Sequence, residues 1–75
     1  MSTVTFELEA DYIELNQLLK LTGACESGGA GKALLAEGRV TVDGQLETRK
    51  TAKIRAGQSV TCDDLHILVV AGSAG

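Results

Sequence analysis

The stretch most suggestive of chemistry is Ser27 to Gly38, SGGAGKALLAEG, where a glycine-rich run ends in Gly31-Lys32 and opens an apolar segment. In a phosphate loop, backbone N–H groups cradle phosphates, a lysine reaches the terminal ones and a hydroxyl holds Mg²⁺. The spacing here excludes that. Glu26 stands where the first glycine belongs, and Ala33 replaces the hydroxyl residue after Lys32. A carboxylate at 26 would repel the phosphates, and 75 residues cannot hold a whole nucleotide-binding domain. No nucleotide cofactor is expected. As a helix start, the glycines cost less than the ~1 kcal/mol each that they cost in a helix interior. They leave backbone N–H groups open to an anion, or let two helices pack closely. Lys32 then points away from the Leu34 side, one turn in.

Other reactive residues are sparse. His66 is the sole histidine. It lies four residues from Cys62, but a structural zinc site uses four ligands, so His66 is expected to be a packed strand residue. Cys25 and Cys62 are expected to be buried free thiols in a reducing cytoplasm. Ser27 reads as a helix N-cap, and neither it nor Cys25 has an identifiable base. Asp63-Asp64 and the Glu7/Glu9 pair read as turn and solvent-face residues. The chain is expected to be neither an enzyme nor a metal protein.

The elements that must position these residues follow from periodicity. Residues 4–8 alternate, with Val4, Phe6 and Leu8 on one face of a half-buried strand. Asp11 and Glu14 carry capping-box spacing, which predicts a helix over about 12–21 with Tyr12, Leu15, Leu18 or Leu19, and Thr22 or Leu21 inward and Gly23 as the stop. Ser27 predicts a second helix over about 28–37, burying Ala30, Leu34 and Leu35 and ending at Gly38. Asp43-Gly44 between RVTV and QLETR is a strong hairpin signal. Further strands are expected around Ile54 and at 59–62, with a turn at Ala56-Gly57-Gln58. Asp63-Asp64 then leads into LHILVV, a final strand apolar on both faces and so expected to be central or tightly covered. A flexible tail is expected over 71–75. The fold class is α+β, with two short helices packed on a small, mostly antiparallel β-sheet, as one domain over 1–75.

At this length the core is thin, burying roughly 60% of the surface the unfolded chain exposes. With Phe6 and Tyr12 as the only aromatic residues, that core must be aliphatic. The composition is globular, no run approaches the ~20 apolar residues of a membrane span, and the acidic, alternating start is unlike a secretory signal. Net charge is −3, yet six of the seven Lys and Arg fall between Lys32 and Arg55. With Glu37, Asp43 and Glu47 that window nets +3, whereas Lys20 against seven acids elsewhere nets −6. An acidic total can therefore carry a basic face.

The joint spacing of Leu18-Leu19, Gly23, Ser27, Leu34-Leu35, Gly38, Val40, Val42, Asp43-Gly44, Gly57 and Val60 resembles the S4-type RNA-binding domain. The resemblance covers about residues 13–62. With ETRKTAKI and the short acidic N-terminal strand, the chain looks most like the small stand-alone bacterial S4-like proteins of the YbcJ type. The resemblance implies an αL RNA-binding fold in which the second helix and the following hairpin form a basic surface for structured RNA, ribosomal RNA or the ribosome being the expected setting. It carries an RNA-binding role onto Lys32, Arg39, Arg49, Lys50, Lys53 and Arg55, and a structural role onto Ser27, Gly38, Asp43 and Gly44. Positions 28, 33 and 36, often Arg or polar in the family, are Gly28, Ala33 and Ala36 here, which shifts the load to Arg49, Lys50 and Lys53. Arg39 is a support, and Arg55 shares the strand face of Lys53.

Lysine offers phosphate a point charge and arginine a planar fork. No aromatic residue is expected near the patch, which predicts recognition by shape and backbone, with 2′-OH contacts from Thr48, Thr51 or Gln45, rather than by base stacking. Two other function classes compete with this one. A ubiquitin-like carrier needs a terminal Gly-Gly, and this chain ends Ala74-Gly75. A protein-interaction adaptor would use the acidic face around Glu7, Glu9, Asp11 and Glu14, with little or no RNA binding.

Overall fold

The computed structural model describes residues 2–25 and 28–72. Strand β1 (Ser2–Leu8) is followed by the short β2 (Ile13–Glu14) and the helices α1 (Leu15–Leu21) and α2 (Gly28–Ala36). Five short strands complete the chain: β3 (Val40–Val42), β4 (Gln45–Leu46), β5 (Lys53–Ile54), β6 (Ser59–Cys62) and β7 (Leu65–Ala71). Five strands form one sheet in the order β1-β7-β6-β3-β4, and β2 with β5 forms a separate pair. Only β1 and β7 are parallel, in a register that sets Val4 beside Ile67 and Phe6 beside Val69. This is the expected α+β architecture, with a mixed, mostly antiparallel sheet.

The first and last strands pair because β7 is the longest apolar strand and takes a neighbour on each side. It does lie centrally in the sheet, between β1 and β6. Its expected cover is present on one face only: Ile67 and Val69 are buried, while Leu68 and Val70 are exposed. The pleat explains this, because alternate residues point to opposite faces and the helices occupy one of them. On the covered face Val40, Val60, Cys62, Ile67 and Val69 meet Leu15, Leu18, Leu19 and Leu35. Fully burying a Leu side chain is worth about 1.5–3 kcal/mol, so the three α1 leucines are the main anchor of that helix. β7 runs to Ala71, and the Gly72 amide donates to the Leu8 carbonyl at 2.8 Å. The expected flexible tail from 71 is therefore corrected at its first two positions, and 73–75 lie outside the described residues.

The start of α1 also differs from expectation. The predicted Asp11 capping box does not form: the N-cap is Glu14, without a side-chain cap bond. Ile13 and Glu14 instead pair antiparallel with Ile54 and Lys53. Backbone carbonyls take over the capping, as Leu15 N–H donates to Ala52 at 2.9 Å and Asn16 N–H to Lys50 at 3.0 Å. Ile13 is buried by the β2–β5 pairing and Tyr12 is left exposed, so Tyr12 does not belong to the inward helical face.

α2 spans the expected residues but turns a slightly different face inward. Gly31 and Leu35, one turn apart, are buried, whereas Ala30 and Leu34 are half-buried. The glycine at 31 has a packing reason, since a Cβ there would sit 3.2 Å from Cys25 Sγ. Ser27, the expected N-cap, lies outside the described residues. Gly38 ends the helix with φ +70, and the amides of Gly38 and Arg39 reach back to Leu35 and Leu34 at 3.1 Å each, a Schellman motif.

Candidate functional site

The hairpin expected at Asp43-Gly44 is a two-residue type I′ turn, with φ 53 and 83 at its two positions. Asp43 does more than turn the chain. Its carboxylate accepts from the Ser59 amide at 2.9 Å and from Gln58 Nε2 at 3.2 Å, and these bonds hold its pKa below the ordinary carboxylate value. Gln58 also accepts from the Arg55 amide through its Oε1 at 2.7 Å. The β3–β4 turn and the β5–β6 turn are thus tied through one glutamine.

Between β4 and β5, residues 47–52 run without regular structure yet are held at both ends. The Glu47 amide donates to the Val40 carbonyl at 3.1 Å. The Glu47 carboxylate accepts from the Arg49 and Thr48 amides at 3.0 Å each, and it is the Arg49 amide above all that pulls its pKa below the usual range. At the other end the carbonyls of Lys50 and Ala52 cap α1. The backbone of this basic segment is therefore fixed while its side chains face water: Arg49, Lys50, Lys53 and Arg55 are all exposed.

The six predicted cations fall on three parts of the fold. Arg49 and Lys50 lie in the 47–52 segment, with Lys53 on β5 and Arg55 just after it. Lys32 is an exposed residue of α2. Arg39, set at the end of the α2 Schellman motif, forms a fork with the Asp63 carboxylate through Nε, at 2.8 Å, and Nη2. It also reaches Glu37 at 3.1 Å. Bonding to Asp63, then Glu37, raises the guanidinium further above its ordinary value. Arg39 thus ties the α2–β3 corner to the β6–β7 turn, with much of its donor capacity in use. Among the described residues Arg49 has a looser partner in Glu47, at 3.4 Å, and Lys32, Lys50, Lys53 and Arg55 form no ion pair.

One residue near the patch was missed. Lys53 Nζ lies 4.9 Å from the Tyr12 ring centroid, so an aromatic residue does adjoin the basic segment, contrary to expectation. A usable signal was present: Ile13-Glu14-Leu15 alternates with a β-branched residue first, as a strand does. Tyr12 also joins two open grooves. One, of about 510 Å³, is lined by Ala10, Asp11, Tyr12, Ile13, Glu14 and Gln17. The second, of about 370 Å³, shares Tyr12 and is bounded by Glu7 and Glu9. The four acids of the adaptor reading line these two adjoining grooves.

The remaining candidates are structural in setting. Cys25 and Cys62 are buried free thiols, and burial, with Asp63 adding, pushes the Cys62 thiol pKa up. His66 Nδ1 lies 3.1 Å from Thr61 Oγ1, its cross-strand partner.

Comparison with known proteins agrees with this geometry. The family model described as S4 domain matches residues 6–70, a longer span than the 13–62 of the motif spacing. The chain is 50% identical over 68 residues to YbcJ of Escherichia coli strain K12, covering 89% of this chain and 97% of that protein. The YbcJ of Shigella flexneri matches equally. The solution structure of E. coli YbcJ, described as revealing an αL motif involved in RNA-binding, superposes with a TM-score of 0.72 at 49% identity, covering 91% of this chain and 87% of that one. With the αL helix pair, the Schellman-terminated second helix and the Asp-Gly hairpin in the family's order, the chain belongs to the S4 domain family.

Proposed function

We propose that the chain, as a single domain, binds structured RNA without catalysis, ribosomal RNA or the ribosome being its setting in the cytoplasm. The contact face is the segment Arg49 to Arg55, with Lys32 on α2 contributing and Arg39 in a supporting position. One observation carries the reading: four exposed cations stand on a backbone pinned to α1 and to the hairpin, and three of them, Lys50, Lys53 and Arg55, form no ion pair among the described residues. Cations on a fixed frame match a fixed array of phosphates with little side-chain ordering beyond their own. The kinship with YbcJ, whose structure is described as having an αL motif involved in RNA-binding, points the same way.

The test is fluorescence anisotropy with a folded ribosomal RNA fragment and an unstructured strand of equal length, across a salt series. Preference for the folded RNA is expected, with a log–log salt slope of about −3 that shrinks in an Arg49→Ala, Lys50→Ala, Lys53→Ala variant. Arg39→Ala is expected to change the slope less, because its guanidinium already serves two carboxylates. Salt-independent or absent binding of both RNAs by the unmodified chain would overturn the reading.

A further inference from the structure

Tyr12 stands where the basic segment meets the acidic grooves. The residue is 40% exposed in a molecule whose core is aliphatic, so it is not held there by burial. Its backbone is nevertheless anchored, because the next two residues pair with β5 and Ile13 and Ile54 are both buried. Lys53 comes from that same pairing, and its ammonium lies 4.9 Å from the ring centroid. Ring and cation are thus fixed by one short antiparallel pair.

We infer that Tyr12 is a stacking platform for one unpaired base of the bound RNA, and that the groove beside it receives the base edge. The inference rests on the RNA-binding reading above and names the kind of RNA: a folded one that presents a bulged or loop base next to its duplex. The charges sort the two parts of a nucleotide. Phosphate is drawn to Lys50, Lys53 and Arg55 and repelled by Asp11 and Glu14, so the backbone stays on the basic side. A base is neutral and can enter the groove. There the Asp11 and Glu14 carboxylates can accept hydrogen bonds only, which suits the amino group of cytosine or adenine. Gln17, in the same groove, can donate and accept. The Lys53 ammonium occupies one side of the ring by a cation–π contact and lies within reach of the phosphate that follows a stacked base.

Tyr12 is the only tyrosine and the chain has no tryptophan, so tyrosine emission reports this site alone. The experiment titrates the full chain with two hairpin RNAs of equal charge, one fully paired in its stem and one with a single bulged cytosine, and with a short Arg-rich peptide. Tyrosine emission and anisotropy of labelled RNA are both read. The expected result is stronger binding and quenching with the bulged RNA. Tyr12→Ala and Tyr12→Leu lower affinity for that RNA by about 5- to 100-fold, with Tyr12→Phe retaining most of it. An abasic bulge brings the unmodified protein to the Tyr12→Ala level, and the salt slope stays unchanged in Tyr12→Ala but falls by about one in Lys53→Ala. Circular dichroism confirms that each variant is folded. Equal, salt-dependent binding of both RNAs overturns the stacking platform alone and leaves the RNA reading standing. Binding of neither RNA overturns both. A response to the peptide and not to RNA assigns the groove to a basic protein segment and also overturns the proposal.

Discussion

The Asp43 carboxylate accepts from the Ser59 amide and the Gln58 side chain, while the Glu47 carboxylate accepts from the amides of Thr48 and Arg49. Each of these acids is more acidic in the fold than in the open chain. Such a group stabilises the fold above its unfolded pKa, about 4 for Asp and Glu, and loses that contribution as pH falls through the lower folded value. The urea midpoint should therefore hold steady down to about pH 5 and decline below about pH 4. Asp43→Asn and Glu47→Gln should flatten that acid limb. Asn keeps the turn, since it tolerates positive φ, so the variant isolates the charge. A second residue-scale test concerns Gly31, where an added Cβ would stand 3.2 Å from Cys25 Sγ. Alanine gains about 1 kcal/mol of helix propensity, which the crowded sulfur opposes. Gly31→Ala should be nearly neutral in the unmodified chain and stabilising by up to about 1 kcal/mol in a Cys25→Ala background. Urea unfolding of the four proteins measures that coupling.

At the scale of elements, both helices end in the same way. α1 closes with Gly23 at φ +82 and the Ala24 amide bonded to Leu19 at 2.8 Å, and α2 closes through Gly38. These stops were legible, because glycine after an apolar helical face is favoured wherever the chain must turn left-handed. Gly38→Ala should cost about 1–2 kcal/mol in urea unfolding, as a Cβ is strained at positive φ. The start of α1 was not legible. Asp11 and Glu14 have capping-box spacing, but capping is worth only about 1 kcal/mol. A competing partner far along the chain, the Lys53-Ile54 strand, takes Ile13 and Glu14 and brings the Ala52 and Lys50 carbonyls to cap the helix. That replacement also makes the basic segment part of the α1 start.

Across the whole molecule, the acidic and basic portions of the chain are folded together rather than held apart. β1 joins β7 in parallel, so the first and last strands are neighbours, with β1 at the sheet edge. Cys25 and Cys62, separated in sequence, lie in that common core at 7% and 4% exposure. A water-soluble thiol reagent should therefore label them slowly in native buffer. Across a urea series the labelled fraction should rise together with the loss of helical circular dichroism. Labelling well before that loss would mean that the core opens locally around one of the two thiols.

Local signals carried much of this protein. The Asp43-Gly44 hairpin, the glycine helix stops, the aliphatic core positions and the clustering of Lys and Arg between 32 and 55 each depend on neighbours within a few residues, so they stand in the linear chain. Their joint order was enough to mark the S4 resemblance. Long-range pairing settled the rest. Whether Tyr12 packed inward or met Lys53, whether Arg39 stayed open or closed on Asp63, and which face of β7 was covered all depend on residues twenty or more positions away. Spacing along one segment cannot express those choices: for Tyr12 and β7 the burial of Ile13, Ile54, Ile67 and Val69 outweighs a local preference of about 1 kcal/mol, and Arg39 meets Asp63 only because the fold brings the β6–β7 turn to it.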